Sequence, residues 1–190
     1  MINKPANYDT TEAVIGGGSK RLPLANYICK IVQVVPTMSK KGANMLKIAY
    51  DIADGDFTDY YMNQFKTMQE RAKKEGKDAP KWPFNATHYI MTDGDFVGRF
   101  KGFIKCLEES NPNFTFAWDE TKMAGLLFAG QMKSVPREYN GKTYTDVRLA
   151  NIYPISEFDT MPDAYAENPK DDGFTGGGFG STTNTDDIPF

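Results

Sequence analysis

The chain has 190 residues, 40% of them hydrophobic and 25% charged, with a formal net charge of −3, which suits one sizeable core with tails rather than two domains. Two cysteines and a single histidine exclude a disulfide framework and a cysteine–histidine metal site. No run approaches the ~20 apolar residues of a membrane span and no signal-peptide pattern opens the chain, so a soluble cytoplasmic protein with reduced, buried Cys29 and Cys106 is expected.

Met1 to Leu22 is polar. Its Gly16-Gly17-Gly18-Ser19-Lys20 run lacks phosphate-loop spacing and follows no apolar strand, so a flexible arm over 1–22 is predicted. From Ala25 to Pro36 the β-branched and aromatic run predicts a long strand ended by Pro36. The turn Ser39-Lys40-Lys41-Gly42 leads to a second strand. There Leu46, Ile48, Tyr50 and Ile52 alternate with Met45, Lys47, Ala49 and Asp51, which sends one set inward and leaves Lys47 looking out. The carboxylates of Asp51, Asp54, Asp56 and Asp59 lack calcium-loop spacing, and a turn with Asp56 capping the next helix is predicted. That helix runs from about Phe57 to Lys74, with Phe57, Tyr61, Phe65, Met68 and Ala72 on one stripe and Lys66, Arg71, Lys73 and Lys74 largely off it. In the Lys- and Pro-rich loop from Gly76 to Pro83, Trp82 stands beside Lys81 and is predicted to lie outside the core.

Phe84 to Thr92 predicts a short third strand. After the turn Asp93-Gly94-Asp95 comes a second helix with Phe96, Phe100, Phe103, Ile104 and Leu107 on one face. Gly98 and Gly102 are expected to let it approach a sheet closely, and Ser110-Asn111-Pro112 ends it. Past the aromatic loop Phe114 to Trp118, Met123 to Lys133 predicts a fourth strand that extends towards Tyr139. Asn140-Gly141 signals a hairpin turn, and Thr143 to Ile155 a fifth strand with Val147 and Leu149 facing away from Tyr144, Asp146 and Arg148. The fold class is all-β dominated with two helices. Its element order is that of a five-stranded OB-fold Greek-key barrel, with a helical insertion between strands two and three and a helix between strands three and four.

Asp171 to Phe190 (DDGFTGGGFGSTTNTDDIPF) has little to bury, so ordering it costs entropy that no core offsets and a flexible tether is predicted. Charge divides the same way: Glu157 to Phe190 holds 8 acidic residues and 1 basic, a net of −7, which leaves +4 on the residues before it. Asp186, Asp187, Ile188, Pro189 and Phe190 make a compact ligand. An apolar pocket gains ~1.5–3 kcal/mol from the Phe ring, and a basic rim holds the carboxylates by charge-assisted hydrogen bonds.

This glycine-rich linker closing on Asp-Asp-Ile-Pro-Phe resembles the acidic C-terminal tip of bacterial and phage single-stranded DNA-binding proteins. The body is similar to phage and prophage proteins of that kind in Ser39-Lys40-Lys41-Gly42, Met45-Leu46-Lys47-Ile48, Phe100-Lys101-Gly102-Phe103-Ile104 and Glu108-Glu109-Ser110-Asn111-Pro112. The resemblance implies an OB-fold DNA-binding domain over 23–155 and a disordered acidic tail over 156–190 whose tip recruits replication, recombination and repair proteins. It also implies the cytoplasm of a bacterial host, no membrane and no cofactor. Oligomeric state is left open, a homo-oligomer included.

Single-stranded DNA asks a surface for cations along the phosphates and for aromatic faces on which bases stack, worth ~1–3 kcal/mol each. The candidates are Lys40, Lys41 and Lys47 of the first hairpin, Trp82, and Arg137, Tyr139, Lys142, Tyr144 and Arg148 around the last, while most other Phe and Tyr are expected in the core. No enzyme is expected: His88 is the one histidine, and no G-x-S-x-G or H-E-x-x-H occurs. Two other readings are a metal-dependent nuclease using the Asp51 to Asp59 carboxylates and an OB-like adaptor that binds protein only.

Overall fold

Two long strands, β1 (Tyr27–Met38) and β2 (Asn44–Ile52), pair antiparallel across the Ser39 to Ala43 turn, and β3 (Thr87–Met91) lies on the far side of β2. The first residues of β1 turn to β4 (Leu127–Tyr139), which pairs along its length with β5 (Lys142–Tyr153). A computed structural model describes residues 3–10 and 21–167; the arm's glycine run and the tip Asp186 to Phe190 lie outside the described residues. The molecule is mostly β, with strand order β3-β2-β1-β4-β5 and a two-residue β6 (Tyr165–Ala166) that joins β4 in parallel. Helix α1 (Tyr60–Glu75) falls between β2 and β3, and α2 (Val97–Ser110) between β3 and β4.

The strand pairs bury a core in which Ile31, Ile48, Tyr50, Ile52, Leu107, Phe128 and Met132 are almost fully enclosed. Each such side chain contributes roughly 1.5–3 kcal/mol. One unpaired residue bends each side of the sheet: Val32 in β1, between Ile31↔Tyr50 and Gln33↔Ala49, and Ala150 in β5, between Leu149↔Met132 and Asn151↔Gln131. The crossing of β1 and β4 is tight: a Cβ on Gly130 would lie 2.9 Å from Leu149 Cδ1 and 3.1 Å from Cys29 Sγ, so a larger residue there requires the buried Leu149 side chain to shift.

Among the described residues no ladder joins β3 to β5, so the sheet is open. Side chains bridge the gap instead. The Leu149 amide donates to the Tyr50 hydroxyl at 3.1 Å, and the His88 ring faces the Leu149 backbone. Burial, helped by the charge of Lys133, holds the His88 pKa down at about 4, against an ordinary 6.5. Between these values the unfolded chain takes up a proton that the folded chain refuses, so stability falls as pH drops through that window. The expected loss is on the order of 3 kcal/mol. Urea titrations at several pH values should give a flatter stability profile for His88→Gln than for wild type, and parallel profiles would refute this role.

Four expectations change here. Lys47 is only 9% exposed, because β2 is an inner strand whose two faces are both covered along most of its length. Trp82 is 5% exposed and sits in the core. Its ring lies against Phe65, and its indole N–H donates to the Ala86 carbonyl at 3.1 Å, so a polar sequence neighbourhood hides an inward side chain. Gly98 and Gly102 meet nothing within 4 Å of a modest side chain; α2 approaches the sheet on its Phe103–Leu107 face and turns the glycines outward. The described structure also continues past 155: Gln131 Nε2 donates to the Pro162 and Asp163 carbonyls, and Lys133 pairs with Glu167 at 2.7 Å. The first twelve residues of the expected tail thus dress β4.

The helix cap differs as well. Asp59, the residue before α1, has φ 59° and offers no side-chain cap. Asp51, fully buried on β2, reaches across instead: Oδ1 accepts from the amides of Ile52 (2.8 Å) and Tyr61 (2.9 Å), and Oδ2 from Met62 (2.9 Å). Burial raises its carboxyl pKa above the ordinary value, against the pull of these three amides. Asp56 is exposed and caps nothing.

Candidate nucleic-acid interface

The β4–β5 ribbon is built on alternation. Its turn, Asn140 (φ 51°) and Gly141 (φ 69°), takes the left-handed backbone of a two-residue hairpin. The register then sets Tyr139 opposite Lys142, Arg137 opposite Tyr144, Val135 opposite Asp146 and Lys133 opposite Arg148. Since side chains of every second residue share a face, all five ribbon residues singled out in the sequence emerge on one side. Val147 and Leu149 point to the other.

That side is organised by one carboxylate. Asp146 is 8% exposed, and its Oδ2 accepts from Arg137 Nε and from an Arg148 terminal nitrogen, each at 3.0 Å. One anion therefore orients two cations and leaves them in excess. The Arg137 guanidinium lies 5.4 Å from the Tyr144 ring centre and 5.9 Å from that of Tyr139. Arg148 lies 4.6 Å from the ring centre of Phe84, a residue of the short 3-10 turn Phe84–Ala86 before β3. Phe84 is 56% and Tyr139 59% exposed, so both rings meet water while a cation steadies them. The Nε of Arg148 is buried with no partner among the described residues.

Sequence reasoning missed Phe84, assigning it to the start of the third strand. A signal was present: Pro83 before it and Asn85 after it break the alternation that a strand interior needs. Lys40 and Lys41 are exposed but stand apart. Their turn follows the last residue of β1 and is tied to the end of β3 by Asp93, which accepts from the Asn44 amide at 3.0 Å. The β4–β5 turn lies beyond the first residue of β1, at the opposite end. Lys47 and Trp82, both enclosed, do not join either group.

Two further surfaces adjoin these elements. A groove of about 460 Å³ runs between the segment Arg21 to Leu24, the first turns of α1, Asn85 and the β4–β5 ribbon. On α2 and the loop after it, Phe100, Phe116 and Trp118 pack ring to ring, with Trp118 81% exposed. The Asp51 to Asp59 carboxylates do not converge: Asp51 is spent on amides and Asp59 pairs with Lys30. Among the described residues no group of three or more metal-ligating side chains is found. No helix among them is long and apolar enough to cross a membrane.

No protein-family model matches the chain, and no curated protein matches it in sequence.

Proposed function

We propose that the protein binds single-stranded DNA without reading its sequence. In this reading the open sheet is an OB-type barrel whose β3 and β5 edges meet through side chains, and the strand lies along the β4–β5 face. One observation carries it: Arg137, Arg148, Tyr139, Tyr144 and Phe84 converge on a single surface around Asp146. Phosphates take the guanidinium edges by charge-assisted hydrogen bonds, while bases stack on rings that the same cations hold in place. Neither job requires contact with the edge of a particular base. Lys40 and Lys41, at the far end of the sheet, extend the path for a longer strand. The tip Asp186 to Phe190 serves replication and recombination proteins in a bacterial cell, and neither catalysis nor a cofactor enters.

The protein-only adaptor keeps a place because of the Phe100, Phe116 and Trp118 patch, an exposed aromatic surface of the kind that partners cover. A gel shift on labelled oligo-dT with single- and double-stranded competitors separates the two. Retention that only single strands compete away, and that salt weakens steeply, is expected; no shift at low salt sinks the DNA reading. Removing Asp186 to Phe190 should leave that shift unchanged or slightly stronger.

A further inference from the structure

The stacking face leaves the 460 Å³ groove beside it unused, although Arg137, Tyr144 and Asp146 line both. We infer that the groove receives one base swung out of a bound single strand and holds it by its hydrogen-bonding edge, on the amides of Gln64 and Asn85; this rests on the DNA-binding reading above. Its size falls in the range of small-ligand sites. Its walls are suited to a flat heterocycle: Leu24, 39% exposed, and the rings of Tyr60 and Tyr144. Gln64 and Asn85 are half-buried among them. Neither side-chain amide is hydrogen-bonded to another described residue; the bond at Asn85, from the Tyr50 hydroxyl at 2.8 Å, goes to its backbone carbonyl.

Unspent amides in an aromatic groove are selective for what they meet. A carboxamide presents one acceptor and two donors side by side, the pattern that pairs with the adjacent N–H and C=O groups of a thymine edge and, after rotation, with the edges of the other bases. Phosphates on either side of the inserted base meet the cations of the lining, Arg21 and Arg137. The carboxylate of Asp146 does not repel them, because two guanidinium groups already hold it. The strand thus passes from stacking on Tyr139 and Phe84 to a single edge-on contact without leaving the ribbon.

The test compares oligo-dT with the same oligomer built from N3-methylthymidine, which keeps charge, length and stacking faces but loses the edge N–H. Fluorescence anisotropy on the full chain should show wild type binding the unmodified strand about tenfold tighter, as one hydrogen bond and a methyl clash imply. Gln64→Ala/Asn85→Ala should bind both strands alike, near the weaker value. Equal affinities in wild type overturn the groove assignment and leave DNA binding standing. A gap that survives in the double variant overturns it too, since the edge is then read elsewhere. Failure to bind either strand overturns the DNA reading and the groove with it.

Discussion

Asp51→Ala is expected to cost about 3–5 kcal/mol of unfolding free energy, as much as truncating a large core side chain. The carboxylate has no solvent exposure and satisfies three backbone amides at 2.8–2.9 Å. Two of these, on Tyr61 and Met62, belong to the first turn of α1, whose own leading residue supplies no cap. Alanine leaves all three donors dry. Asp51→Asn keeps one acceptor oxygen and should cost about half as much, while Asp56→Ala should be neutral within about 0.5 kcal/mol. Urea unfolding followed by circular dichroism ranks the three. An alanine variant within 1 kcal/mol of wild type would mean that α1 is held by its apolar stripe alone.

Removing charge from the ribbon is expected to weaken single-strand binding about 100-fold at low salt. Arg137→Gln/Arg148→Gln keeps a neutral polar donor on a shorter side chain at each position while deleting two cations, each offering a charge-assisted contact of ~1.5–3 kcal/mol. The slope of log affinity against log salt should become shallower by about 1.4, or 0.7 per phosphate released on single strands. Lys40→Gln/Lys41→Gln, at the far end of the sheet, should matter only for longer oligomers. Anisotropy on oligo-dT of two lengths across a salt series checks both. Unchanged affinity and slope in the arginine variant would place the strand elsewhere on the body.

Alternation and turn chemistry made most of this fold legible before any coordinates. Asn140-Gly141 located the hairpin, and period-two patterning set Tyr144, Asp146 and Arg148 on the face opposite Val147 and Leu149, while the register across the turn is what adds Arg137, Tyr139 and Lys142 to that face. What local pattern does not hold is how many neighbours a strand will have. Lys47 alternates correctly yet is enclosed, because β2 lies inside the sheet and both of its faces are covered. Trp82 left its expected place because the composition of a loop does not say what the loop folds over. Trp82 sits in a Lys- and Pro-rich loop that folds over Phe65, whereas Trp118, in a left-handed backbone position (φ 61°), is turned outward from an otherwise apolar loop. Asp51 was misread as one of a row of acids because its partners lie ten and eleven residues onward. No local spacing rule reaches that far.

The unpaired residues Val32 and Ala150 have a consequence for how such a chain tolerates gain and loss of single codons. Ile31 and Val34 face inward, and so do Leu149 and Met132. Deleting Val32 or Ala150 therefore brings together neighbours that already alternate, and every side chain keeps its side. What disappears is the local coiling, without which β1 no longer serves β2 and β4 at once. A frame-preserving deletion there spares the chemistry of both surfaces and removes the curvature on which they are wrapped.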